Sequence, residues 1–172
     1  MPYDRSASGL CRYDPDADAD SSVLLRGQDG GYLRFYNRRR PDHHVIRNCV
    51  EGGAPGMRAE LHDVTAYPDW HVALFLDELA SDFRGWDGTR SWHSPNRDLR
   101  VQAIHHARGH VRLTWTLEPW RHSVAGYWTA TTITDCEAGA ELGRLAATLH
   151  RFLAPASPPN AEDADRYLCS DR

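Results

Sequence analysis

Three of the ten histidines, His105, His106 and His110, fall within six residues of one another, and imidazole is the side chain whose ordinary pKa lies closest to neutrality. Their spacing reads on a β-hairpin. Leu99, Val101 and Ala103 alternate with Arg100, Gln102 and Ile104, and Val111, Leu113, Trp115 and Leu117 alternate with His110, Arg112, Thr114 and Thr116. A loop of Ala107-Arg108-Gly109 pairs 105 with 111, 103 with 113 and 101 with 115, so every apolar position shares one face and the register is well specified. His106 then stands opposite His110 on the polar face, with Cβ atoms about 4.5–5.5 Å apart. Two imidazoles so placed can act as a general base, or can share a divalent cation if a third ligand arrives. His93 and His122 are the candidates for that ligand, and the sequence fixes neither. No metal and no cofactor is therefore expected.

Tryptophan supplies the second set of candidates. Five of the six tryptophans lie between Trp86 and Trp128. Trp115 belongs to the apolar face of the hairpin. Trp86, Trp92, Trp120 and Trp128 are the candidates for a binding surface, together with Arg100 and Arg112 on the polar face, because Trp and Arg dominate interface hot spots. For Trp86 and Trp92 the first reading is packing that seals a helix–sheet junction, and a binding surface is the second.

Stepping out from these residues, hydrophobic periodicity predicts the elements that hold them. Short strands are expected at 22–26, 32–36, 45–50 and 57–64, separated by turns such as Gln28-Asp29-Gly30-Gly31. A helix is expected over 68–84, with Val72, Phe75, Leu76, Leu79, Ala80 and Phe83 on one stripe. The hairpin occupies 97–118, and Trp86–Trp92 links it to the helix. A further strand is expected at 123–133. A second helix is expected over 135–153, opened by a capping box of Thr134 and Glu137 and carrying Gly139 and Gly143 for close approach to the sheet. The expected fold is α+β, an antiparallel sheet of roughly five to seven strands with two helices on one face. One domain spans 22–153, between a loosely attached acidic segment, 1–21, and a flexible tail, 154–172.

The composition narrows the function classes. A net charge of −4 opposes broad binding to nucleic acid or anionic membrane. All 20 basic residues are arginine, so lysine Schiff-base chemistry is excluded. The run Arg38-Arg39-Arg40 is a basic loop able to meet phosphate, but it is short. Asp14, Asp16, Asp18 and Asp20 imitate a calcium loop without its glycine and its closing glutamate, which are Ala19 and Leu25 here. Four dispersed cysteines form no metal or disulfide framework, and the N-terminus has no signal-peptide pattern, so a cytoplasmic location is expected. No nucleotide-binding glycine motif, serine-hydrolase elbow or zinc-protease helix occurs.

The order Phe75-Leu76-Asp77-Glu78-Leu79-Ala80, Arg84-Gly85-Trp86-Asp87-Gly88, Trp92, Leu99–His105, Gly109-His110-Val111-Arg112-Leu113 and Ala138-Gly139 with Leu142 resembles an uncharacterised family of small bacterial α+β proteins, classed as a domain of unknown function. The resemblance covers about residues 57–153 and is most specific at Arg84–Trp92 and Gly109–Val111. His106 stands where an Asp is expected after His105. The resemblance implies a fold and no activity.

Two functions remain in view. The first is a cytosolic protein-binding module, immunity- or inhibitor-like, with a protein partner. The second is a small-molecule enzyme using His106 or His110 as general base in a tryptophan-lined pocket. Nucleic-acid and membrane partners are not expected.

Overall fold

A computed structural model describes residues 21–120 and 126–154 of the chain. The Asp14–Asp20 run, His122 and the C-terminal prolines lie outside the described residues. The elements are β1 (Val23–Arg26), β2 (Tyr32–Arg39), β3 (Ile46–Ala54), β4 (Met57–Ala66), α1 (Val72–Ser81), β5 (Thr89–His93), β6 (Leu99–His106), β7 (His110–Leu117), β8 (Ala130–Glu137) and α2 (Ala140–Phe152).

The expected single sheet of five to seven strands is two antiparallel sheets of four, ordered β1-β2-β3-β4 and β5-β6-β7-β8. Each is a meander in which chain neighbours pair. The chain leaves the first sheet where α1 intervenes, and re-enters as β5, which pairs with β6. Trp86–Trp92, expected as a linker, contains most of that extra strand. The helices do not share one face of one sheet either. They pack on each other, α2 lies against β8 and β1 of different sheets, and α1 touches β5.

The sheets meet along β8, which contacts β1, β2 and β3. Glycine makes this approach feasible. A Cβ at Gly27 or Gly31 would fall 2.3 or 2.2 Å from the Ile133 carbonyl oxygen. Thr132 Oγ1 donates to the Gly53 carbonyl across the junction at 2.6 Å. One apolar cluster runs through both sheets and both helices. Phe35 sits at its centre, edge-on to Trp115 at 6.2 Å and to Phe152 at 6.4 Å. Trp115 is fully buried, and its indole N–H donates to Thr134 Oγ1 at 2.9 Å.

That hydrogen bond explains a second correction. Thr134 and Glu137 belong to β8 and do not cap α2, whose N-cap is Gly139 with φ 83°. Glu141 Oε2 instead accepts the Glu137 N–H at 2.6 Å. Gly139 approaches Phe83, but nothing lies within 4 Å of a Cβ built at Gly143, so the expected close glycine face is absent there. In α1 the buried stripe is Val72, Phe75, Leu76 and Leu79, whereas Phe83 falls beyond the helix and is 59% exposed.

Arg38 and Arg39 extend β2 and are not in a loop. Arg38 donates through Nη1 to the Arg151 and Phe152 carbonyls, at 3.2 and 2.8 Å, and Arg40 donates through Nε to the Ala154 carbonyl at 2.8 Å. Arg39 pairs with Asp63. The basic run thus closes the C-terminal end of α2, where carbonyls lack helical partners and the dipole is negative. Among the cysteines, Cys136 is a buried thiol. Cys49 is disulfide-bonded, against the expectation from spacing.

Candidate functional site

The hairpin register is the expected one throughout. Leu99, Val101, Ala103 and His105 pair with Leu117, Trp115, Leu113 and Val111, and His106 pairs with His110. Alternation therefore sends adjacent histidines to opposite sides of the sheet. His106 and His110 lie on the outer face, where His106 is exposed. His105 lies on the inner side, at the end of β6, where the segment from α1 to β5 crosses it.

That segment and His105 form a pocket of about 350 Å³, lined by Arg84, Gly85, Trp86, Asp87, His105 and Ala107. Its construction follows from one missing side chain. Gly85 has φ 101°, a conformation costly for any residue with a Cβ, and a Cβ there would fall 2.6 Å from Cε1 and Nδ1 of His105. The turn is fixed by the Gly85 N–H donating to the Asp82 carbonyl at 2.8 Å. Trp86 then meets an imidazole and a guanidinium: the His105 ring lies 5.3 Å away, tilted by 59°, and the Arg90 guanidinium stacks 4.8 Å from its centroid. Arg90 is itself held by Asp82.

Two side-chain nitrogens of the lining residues are closed to water and have no hydrogen-bond partner. They are Trp86 Nε1 and His105 Nε2, and both are buried. A buried N–H left unmade costs about 1–3 kcal/mol. The exposed Arg84 guanidinium stands 5.8 Å from the Phe83 ring and at the pocket wall. The lining thus combines a basic and an acidic residue, Arg84 and Asp87, with the rings of Trp86 and His105.

The other sequence-predicted residues scatter. Trp92 stands opposite Val101 on the inner face and packs against the core, as does half-buried Trp128. Trp120 is 58% exposed, beyond β7. Arg100 pairs with Glu118, and Arg112 Nε contacts Asp135 Oδ1 at 3.1 Å. Of the four candidate tryptophans only Trp86 lines this pocket. Sequence reasoning missed Arg84, Gly85, Asp87, His105 and Ala107 as a group. The signal for them was the alternation of β6, which assigns His105 inward, joined to the glycine before Trp86.

Three other chemistry-bearing groups are engaged or quenched. Burial, with Glu141 and Asp135 nearby, pushes the Cys136 thiol up to about 12, so it is no thiolate nucleophile at neutral pH. Burial alone would raise the Glu51 carboxyl, but hydrogen bonds from Tyr32 and Arg58 hold it below its usual range. Burial raises the Asp98 carboxyl, against the Ser94 hydroxyl and the Leu99 N–H that both reach it. No group of three or more His, Cys, Asp or Glu side chains able to hold a metal ion occurs among the described residues. No helix of the described residues is long and apolar enough to cross a membrane.

No curated protein and no solved structure matches the chain. A family model described as "Family of unknown function (DUF6228)" matches residues 24–156, which adds β1, β2 and β3 to the stretch expected from the sequence. The match spans both sheets, both helices and the whole pocket, and the chain belongs to this family.

Proposed function

We propose that the domain is a protein-binding module, immunity- or inhibitor-like, whose recognition site is the pocket between Arg84 and Ala107. The observation that carries this reading is an open, polar-walled pocket lined by Arg84, Trp86, Asp87 and His105, at the turn that Gly85 makes over the end of β6. The acidic balance supports an acidic binding protein over a nucleic-acid binder. The engagement of Arg38 and Arg40 with α2 carbonyls supports the same choice. The test is affinity capture from native lysate at physiological salt with three baits: wild type, Trp86→Phe and His105→Phe. A stoichiometric partner held by wild type and lost by both variants, at unchanged melting temperature, is the expected result. Capture that survives both substitutions, or no stoichiometric partner at all, sinks the proposal.

A second reading is a small-molecule enzyme with a histidine general base. What favours it is the free Nε2 of His105 in a pocket, which relocates the base one residue from His106 and across the sheet from His110. Turnover lost in His105→Gln and kept in His106→Ala and His110→Ala would support it, and the reverse pattern would overturn it.

A cytoplasmic location belongs to the proposal as well. The bonded Cys49 is at odds with it, because structural disulfides persist in oxidising compartments. In protein denatured and alkylated at the moment of lysis, Cys49 should be modified if the location is right, and an unmodified Cys49 would place it elsewhere.

A further inference from the structure

We infer that Cys49 is bonded to Cys11, and that this bond straps the N-terminal segment across the outer face of the first sheet. The pocket at Arg84–Ala107 plays no part in it. The pairing follows first from counting. The chain has four cysteines, Cys49 is disulfide-bonded, and Cys136 is a free thiol. Cys11 and Cys169 are left, one near each end of the chain, and both lie outside the residues that the family model matches.

Register places Cys49. Val23, Phe35, Val50 and Leu61 stand in one row across the sheet and belong to the main core. Alternation turns Tyr36 and Cys49, paired in the next row, to the opposite face. There they form a small cluster apart from the main core, and Cys49 is only 1% exposed. Around it the face is a polar lattice. Tyr32 donates to Glu51 at 2.7 Å, Arg58 donates to the same carboxylate at 2.6 Å, and Tyr36 donates to Glu60. Leu24, at the β1 margin of this face, is 44% exposed. The face is thus open at its margin and closed over the bonded sulfur, as a segment tied down at Cys49 requires.

Entry point and length select Cys11. β1 is the outermost strand. With Val23 opposite Phe35, the chain enters β1 level with Tyr36, and only β2 separates that point from Cys49. The span is two strand spacings, about 10 Å. Twelve residues lead from Cys11 to Val23, enough chain for several times that distance. The C-terminal route starts on the other side. Phe152 and Leu153 lie in the main core, so the chain leaves α2 on the core side of the sheet, and a path to Cys49 must round an edge. The loop from 49 to 169 spans 120 residues, against 38 from 11 to 49. The shorter loop closes about fivefold more readily. Opening the strap takes a dithiol reductant. One of its thiolates attacks the bond and its second thiol completes the exchange, so two electrons leave two protein thiols and one reductant disulfide. Oxidised protein is therefore strapped and reduced protein is not, in whichever compartment it works.

The test uses the full chain, purified and air-oxidised, then denatured, alkylated and digested with trypsin. Ser6–Arg12 should be recovered joined to Asn48–Arg58, with Cys136 and Cys169 alkylated. Asn48–Arg58 joined to Tyr167–Arg172 would overturn the pairing, and so would an alkylated Cys49. The strap itself is read by trypsin cleavage of native protein after Arg12, the residue next to Cys11. Reduced wild type and Cys11→Ser should be cut there at least about tenfold faster than oxidised wild type, with cleavage inside the domain unchanged. Oxidised Cys169→Ser should be cut like oxidised wild type. Equal cutting after Arg12 in oxidised and reduced protein would overturn the strap even with the pairing intact. Faster cutting throughout the chain on reduction would overturn it too, because the bond would then hold the whole domain together and not one segment on its face.

Discussion

His71 is 6% exposed and stands at the N-cap of α1 without a side-chain cap hydrogen bond. Its Nδ1 is buried and unpartnered. Burial first, and then the charge of His150, push it down to about 4 from an ordinary 6.5, although Asp77 pulls the other way. His150 faces it edge-on at 5.1 Å and is paired with Asp77. The folded protein holds this ring neutral, and the unfolded chain protonates it below about 6.5. Between about 4 and 6.5 the unfolded state therefore binds more protons, so stability rises with pH. The contribution is complete above the upper value and is lost as pH falls toward the lower one. Urea denaturation should show a loss of up to about 3 kcal/mol across that window. His71→Gln should flatten the slope, and a slope equal to wild type would refute the assignment. None of this was legible in the residue itself. His71 reads as one of ten histidines, and only the packing of α1 on α2 identifies it.

At the scale of elements, α2 depends on a strand that precedes it by a hundred residues. Arg38 reaches two of its last carbonyls from β2. Removing the guanidinium with Arg38→Gln should cost about 1–2 kcal/mol, as expected for charge-assisted bonds at a helix C-terminus. Hydrogen exchange should quicken first in the last turn of α2, and uniform quickening across the chain would argue against a local clamp. The arginine run was visible in the sequence, but its role was not, because a helix end and a strand end meet only in three dimensions. The hairpin is the opposite case. Its alternation, a three-residue loop and Gly109 determined the register residue for residue. Around β8 the local signal misled. Thr134 and Glu137 satisfy a capping pattern, yet Thr134 is drawn into the sheet by the Trp115 indole, and tertiary hydrogen bonding outweighed the local motif.

For the whole molecule, the decisive feature is how closely the sheets approach at β8. Gly31 is the sharpest probe, since a Cβ there meets a main-chain oxygen that cannot rotate away. Gly31→Ala should destabilise by about 3 kcal/mol or more through overpacking. Gly56→Ala is the control, because its φ of 81° is strained but nothing lies within 4 Å. It should cost about 1–2 kcal/mol from backbone conformation alone. If the two variants lose equal stability, with the mobility of β1 and β8 unaltered, the junction is looser than described. The α+β class and seven of the eight strands were readable from periodicity. The partition into two sheets was not, because alternation says which side of a strand is buried and is silent on which sheet buries it.

The hairpin that sends His105 and His106 to opposite sides has a practical corollary. One proteolytic peptide contains two neighbouring imidazoles, one facing open water and one sheltered beside Gly85 and Trp86. Under an acylating reagent the outer ring serves as a clock for reagent dose, and the inner ring responds to whatever occupies its shelter. Their labelling ratio, read from fragment ions that split the peptide between the two residues, is an internal gauge of occupancy independent of protein concentration.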